Sequence, residues 1–148
     1  MTDFYEKLKG VRMQDIRKYL EENKNEMIEE KHAFADYMRS KFKEKGLLQQ
    51  DIFLQADIPE RYGYKLISQE KHTKQRDIIL RICYAAQFSL EETQKALKLY
   101  QMAELYPKFA RDALLIVAFN ERPGSIIELN MMLKKNGMDP LRSSGTIE

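Results

Sequence analysis

The chain has 148 residues, 43% of them hydrophobic and 32% charged, with 25 Lys+Arg against 23 Asp+Glu for a formal charge of +2. That length and apolar content suit one domain carrying extra helices and exclude a disordered chain. The near balance of charge excludes a protein that binds nucleic acid by total charge, so any such contact has to come from a local patch. Two valines and four threonines stand against sixteen leucines and eight methionines, a bias toward helix formers that predicts an all-α chain.

From the N-terminus, Met13, Ile16, Tyr19 and Leu20 fall at helical spacing and predict a helix over 13–30, with the acids and bases of 21–31 on a solvated face. Phe34, Tyr37, Met38 and Phe42 form the apolar stripe of a second helix, which Gly46 ends as a left-handed cap. Leu48, Ile52 and Ala56 mark a short helix over 49–56, and Asp57-Ile58 makes a tight break. Pro59, whose fixed φ and missing N–H suit the first helical position, opens a helix that runs to Ser68. A polar loop follows over 69–74, and Ile78, Ile79, Ile82, Cys83 and Ala86 then give the next helix a wide apolar face.

Ser89-Leu90-Glu91-Glu92 is a capping box, and the helix it opens carries Leu90, Leu97 and Tyr100. Pro107 starts a helix within 105–120 with Ala110, Ala113, Leu114 and Val117 inward. Gly124-Ser125 precedes a last helix over 125–136 bearing Ile126, Leu129 and Leu133, closed by Gly137 with Pro140 beyond it. Residues 142–148 read as a frayed, flexible tail.

The single cysteine rules out a disulfide framework, and no Cys/His spacing suits zinc. Cys83 lies on an apolar face and reads as a small buried hydrophobe, and His32 and His72 are forty positions apart, with His72 expected in solvent. No phosphate-binding glycine loop, convergent carboxylate pair or triad is present, so neither an enzyme nor a cofactor is expected. The longest apolar run, Ala113 to Phe119, is far short of the roughly 20 residues of a membrane span. Met1 to Glu6 lacks the basic-then-apolar order of a signal peptide, so a soluble, cytoplasmic protein is expected.

Five helices within 33–100, the second and third short and joined by a three-residue break, are the ground plan of a helix-turn-helix unit. Here the chain resembles the lambda-repressor-like (Cro/C1, XRE) DNA-binding family. Gln49 falls on that family's frequent glutamine at the start of helix two, Ile52 and Ile58 on its core aliphatics, and Pro59 to Ser68 on its recognition helix. Gln75 to Ser89 is similar to its fourth helix and the turn into the fifth. Tyr62-Gly63-Tyr64, Arg76-Asp77, Ser89 to Thr93 and Leu105-Tyr106-Pro107 also look like a narrower, Firmicutes-type bacterial group of XRE regulators with added C-terminal helices. The chain departs from the family pattern at four positions. Asp57 and Gln69 stand for glycines, Phe53 for a small residue, and Gly63 for a core aliphatic whose space Tyr62 and Tyr64 would fill.

The resemblance implies an N-terminal helical extension over 1–32, a helix-turn-helix domain over 33–103, a C-terminal helical pair over 104–141 packed on it, and the tail. It also implies base contacts in the major groove from Glu60, Arg61, Tyr64 and Lys65, with phosphate contacts from Gln49, Ser68, Lys71, Lys74 and Arg76. Residues 59–76 hold five bases and two acids, the local excess that the overall balance left open. Each group also has a plainer role, since Glu60 complements the positive end of its helix, Tyr62 suits the core, and the cations suit a solvated surface. The expected function is a transcriptional regulator binding double-stranded DNA, as a homodimer because one helix reads too few base pairs. The alternatives are an adaptor or antitoxin-like module with a protein partner on the same frame, and a ligand-sensing bundle.

Overall fold

A helix that is apolar on every side has to be enclosed, and Ile78, Ile79, Leu80, Ile82 and Cys83 place apolar side chains all the way round one helix. Each is 1% exposed or less. This helix, α6 (Arg76–Ala85), is the axis around which the others pack. The computed structural model describes residues 3–143, and among them every regular element is helical.

The N-terminal part holds α1 (Phe4–Lys9) and α2 (Ile16–Glu22) with single 3-10 turns between and after them. Next come α3 (Ala33–Glu44), α4 (Gln49–Ala56) and α5 (Glu60–Ile67), then α6, α7 (Leu90–Leu99), α8 (Ala110–Glu121) and α9 (Ile126–Lys135). α4 packs on α5 and α6, α3 lies against α5 and α7, and α9 closes over α6 beside α8. Phe34, Phe53, Phe88, Met38, Leu66 and Leu97 fill the shared core. No helix of the described residues is long and apolar enough to cross a membrane.

Five helices end in one local device. Gly46, Asp57, Gln87, Gln101 and Gly137 adopt left-handed φ values of 68°, 57°, 62°, 63° and 72°. The next residues, Leu47, Ile58, Phe88, Met102 and Met138, donate their N–H groups back to Phe42, Phe53, Cys83, Leu97 and Leu133 at 2.9–3.0 Å. Each is apolar and packs down on the helix it closes, so the turn satisfies orphan carbonyls and fixes the exit direction of the chain. The capping box is also present, with Ser89 N–H donating to Glu92 Oε1 at 2.9 Å and Glu92 N–H to Ser89 Oγ at 3.1 Å.

Glu92 then joins α7 to α3. Lys45 and Lys41 donate to it at 2.8 and 3.3 Å, and the Tyr37 hydroxyl bonds its carbonyl at 3.4 Å. Partial burial works against the charged form. The hydrogen bonds from Lys45, the Ser89 N–H and Lys41 outweigh it and hold the carboxyl at about 2. Burial pushes the Tyr37 hydroxyl the other way, up to about 12.

Four expectations are corrected. The helix over 13–30 breaks at Asn23, whose amide turns back to the Tyr19 carbonyl at 2.8 Å. Met27 and Ile28 beyond it are 44% and 59% exposed, so further turns would bury nothing, and short helices do not persist without packing. Pro59 caps α5 with an extended ψ of 132° and does not enter it, while Ser68 closes the other end.

The third correction concerns α8, which begins at Ala110 instead of at Pro107 because the preceding segment is stitched elsewhere. Gln94 brackets Leu105 with two hydrogen bonds of 2.8 and 2.9 Å, and the Tyr106 N–H donates to Asp112 at 2.9 Å. The inward face of α8 is centred on Asp112, Leu115, Ala118 and Phe119; of the residues expected there, Leu114 packs against the core and Ala113 is half-buried, while Ala110 and Val117 are exposed. Finally, the tail does not start at 142. Arg142 N–H donates to Asp77 at 2.9 Å and its carbonyl accepts from Arg81 at 2.7 Å. The expected frayed tail beyond Ser143, like Met1 and Thr2, lies outside the described residues.

Candidate nucleic-acid interface

The α4–α5 turn takes its shape from Asp57, left-handed at φ 57°, ψ 50°, and from the extended Pro59. A short acidic side chain tolerates that conformation better than most. Gln69 is also left-handed, at φ 65°, after α5, and its amide oxygen accepts the Ala35 N–H at 3.3 Å. That bond caps the start of α3, where His32 makes no side-chain cap.

Gly63 and Phe53 explain each other. A Cβ built on Gly63 would lie 2.6 Å from the Phe53 ring, so the ring occupies the place a side chain on α5 would take. The large residue on α4 and the missing side chain on α5 are complementary in volume. Phe53, not Tyr62 and Tyr64, fills the space. Tyr62 is half-buried beside the core, and Tyr64 meets the Phe53 ring edge-on at 5.2 Å.

Successive helical residues are about 100° apart, so the burial of Gly63, Leu66 and Ile67 sets which side of α5 faces out. Arg61, Lys65 and Ser68 fall on the opposite stripe. Arg61 is exposed and Lys65 half-buried, and among the described residues neither is ion-paired. Ser68 is exposed but occupied locally, its hydroxyl donating to the Lys65 carbonyl at 3.2 Å and accepting the Glu70 N–H at 3.4 Å.

Glu60 and Tyr64 lie on the flank of this stripe toward Asp51. Partial burial and the carboxylates of Glu60 and Asp51 push the Tyr64 hydroxyl above its usual value. The four expected base-reading residues therefore divide into a cationic centre and an acidic, aromatic edge. Lys71 and Lys74 are exposed in the following loop, and Gln49 is half-buried in the first turn of α4.

Arg76 does not join them. It donates to Asp112 at 2.5 and 3.2 Å and to the carbonyls of Ala103 and Glu104, which turns it away from α5 toward the C-terminal pair. His72, expected in solvent, is exposed but stacks on the Tyr100 ring at 4.3 Å. No family model, curated protein or solved structure matches the chain.

Arg81 is the residue that sequence reading missed. It is 4% exposed and donates to the carbonyls of Ala56 at 3.1 Å, Leu141 at 2.7 Å and Arg142 at 2.7 Å. It thus holds the last carbonyl of α4, directly before the turn into α5, together with the C-terminal segment. Burial lowers its pKa while the nearby Asp57 and Asp77 carboxylates work to raise it. A signal was available. A helix apolar on all sides leaves no solvated place for a charge, so Asp77 and Arg81 within it had to be paired.

Asp77 accepts both guanidinium nitrogens of Arg111 at 3.0 Å, and Arg111 also holds the carbonyls of Asp139 and Pro140. Cys83 is fully buried, and burial pushes its thiol well above the usual range despite a hydrogen bond with Thr93, so it has no nucleophilic or ligand character. No cluster of three His, Cys, Asp or Glu among the described residues could hold a metal ion.

Proposed function

We propose that the chain is a sequence-specific DNA-binding regulator of the lambda-repressor-like kind that lays α5 in the major groove. The observation that carries this reading is the outward stripe of α5. Arg61 and Lys65 project from a helix locked onto α4 by the Phe53–Gly63 contact, with Lys71 and Lys74 in the adjoining loop. A rigid helix with an open cationic edge suits a groove wide enough to admit a helix. The order and lengths of α3 to α7 support the same reading, as do the left-handed Asp57 and Gln69 at positions where that family carries glycine. Arg61 is assigned to a guanine edge, Lys65 to a second guanine or a phosphate, and Lys71 and Lys74 to phosphates.

The test is an anisotropy titration against duplexes selected from a random pool. Binding should weaken with salt by several units of log K per unit of log salt. Arg61→Ala should cost about 1–3 kcal/mol and relax selectivity at one base pair. Unchanged affinity and selectivity in that variant would remove Arg61 from the readout. A second reading, a protein-interaction module on the same frame, is favoured by the Glu60 and Asp51 carboxylates beside Tyr64, which repel phosphate. Absence of duplex binding at low salt selects it.

A further inference from the structure

The carbonyl of Ala56 belongs to the peptide plane that turns the chain from α4 into α5. Because that plane is rigid, holding its oxygen constrains the left-handed φ of Asp57, 57°, and with it the direction in which α5 departs. Arg81 donates to this oxygen at 3.1 Å, and its other two guanidinium nitrogens donate at 2.7 Å to the carbonyls of Arg142 and Leu141. Those two carbonyls lie on a C-terminal strap that three helices grip along its main chain. Arg111 of α8 donates to the carbonyls of Asp139 and Pro140, both at 3.1 Å. Asn130 of α9 accepts the Leu141 N–H at 2.8 Å, and Asp77 of α6 accepts the Arg142 N–H at 2.9 Å. Leu141 is also seated by its side chain, at 2% exposure, whereas Asp139 and Arg142 are exposed.

We propose that residues 139–142 are a latch that positions α5, with Arg81 as the positioning residue through which the strap acts on the α4–α5 turn. The Phe53–Gly63 contact sets how closely α5 lies on α4, and the Ala56–Asp57 peptide sets its direction. With the strap seated, Arg81 is 4% exposed and each guanidinium nitrogen has an acceptor, so the side chain is fixed between turn and strap. With the strap lifted, two of the three acceptors leave and the buried charge is opened to water. Its bond to Ala56 then competes with solvent, and the turn loosens. No residue of α5 takes part. A helix that reads base edges has to hold its side chains to a fraction of an ångström, so a segment far along the chain tunes the fit without touching it. The inference rests on the reading that α5 enters the major groove, and its first test is made without DNA so that the two fail separately.

Amide hydrogen exchange of the full chain, read residue by residue by NMR, tests the latch. Two turns of the same design give the comparison. The Ile58 N–H donates to Phe53 at 3.0 Å in the turn that Arg81 holds, and the Leu47 N–H donates to Phe42 at 2.9 Å in one that it does not. Leu141→Ala unseats the strap and should speed exchange at Ile58 about tenfold relative to Leu47. A loss of overall stability would speed both alike. Asn130→Ala removes one strap bond at a half-buried site, should act in the same direction by about threefold, and serves if Leu141→Ala misfolds. In an Arg81→Lys background, which keeps the charge but not the planar fork, either change should add nothing at Ile58. An Ile58 rate that is unchanged, or that rises only in step with Leu47, overturns the latch, as does a full response in the Arg81→Lys background. On a duplex selected from a random pool, Leu141→Ala should weaken binding about tenfold with the salt slope unchanged, because no phosphate contact is lost. Undiminished affinity overturns the positioning role. A wild type that binds no duplex overturns the regulator reading, and the exchange rates still decide the latch.

Discussion

α5 and α8 are both short helices with mixed sequences, yet they sort their residues in opposite senses. α5 buries Gly63, Leu66 and Ile67 and turns Arg61 and Lys65 outward. α8 turns Asp112 inward, keeps Arg111 half-buried in its pair with Asp77, and leaves Phe109 and Val117 in solvent. The difference lies in what each helix meets. α5 packs on the apolar sides of α4 and α3, whereas α8 meets the start of α6, where Arg76 and Asp77 need partners. A buried charge dictates the orientation of its neighbour more strongly than an apolar surface does, because leaving it unpaired costs several kcal/mol.

Removing a charge should therefore act very differently on the two helices. Asp112→Ala should destabilise the fold by about 3–5 kcal/mol, since it strands the Arg76 guanidinium and the Tyr106 N–H, whereas Arg61→Ala should leave stability within about 0.5 kcal/mol. Urea unfolding of the two variants measures both. Equal effects would break the comparison.

The next largest effect is expected at the contact that orients α5. Gly63→Ala forces a Cβ into the Phe53 ring and should cost about 2–3 kcal/mol. In the Phe53→Leu background the same change should cost far less, giving a coupling energy above about 1 kcal/mol in a double-mutant cycle. Additive losses would mean that the two residues do not share the space.

Acid sharpens the comparison by acting on the frame behind α5. The Glu92 carboxyl is held at about 2 against an ordinary 4.5. A depressed folded pKa contributes stability that is full above the ordinary value and lost as pH falls toward the folded one. Glu92→Gln should cost about 1–2 kcal/mol at pH 7, and the gap from wild type should close between about pH 4.5 and pH 2 in pH-dependent urea unfolding. A gap that persisted at pH 2 would assign the loss to packing.

The smallest effects separate two left-handed glutamines. Gln87→Gly relieves the backbone at an exposed site and should stabilise by about 0.5–1 kcal/mol. Gln69→Gly forfeits the cap on Ala35 and should give no net gain. Thermal melts of the two variants compare them directly.

Much of the region from Ala33 to Tyr100 was legible in the sequence because its signals are local. Gly46, the capping box at Ser89 and the Asp57 break act within four or five residues of themselves, and α3, α4 and α7 begin and end close to where those signals stand. The stretch over 13–30 misled because its apolar spacing was helical but had nothing to pack against. α8 misled for a different reason. With apolar residues on both faces, periodicity could not choose the inner one, and the choice was made by Arg76 and Asp77, more than thirty positions away.

At the candidate interface, burial of Gly63, Leu66 and Ile67 agrees with an outward Arg61 and Lys65, while Arg76 was taken by Asp112. A basic residue in a loop looks the same in sequence whether it faces solvent or a buried acid. Composition and spacing alone determined that this protein is helical and where most of its helices between Ala33 and Lys135 stop, because propensity and capping are short-range. Tertiary structure decided which charges are spent inside, which glycine makes room for a ring, and that residues 139–142 are strapped down by Arg81 and Arg111. Those outcomes depend on desolvation and volume, which exist only once distant segments meet.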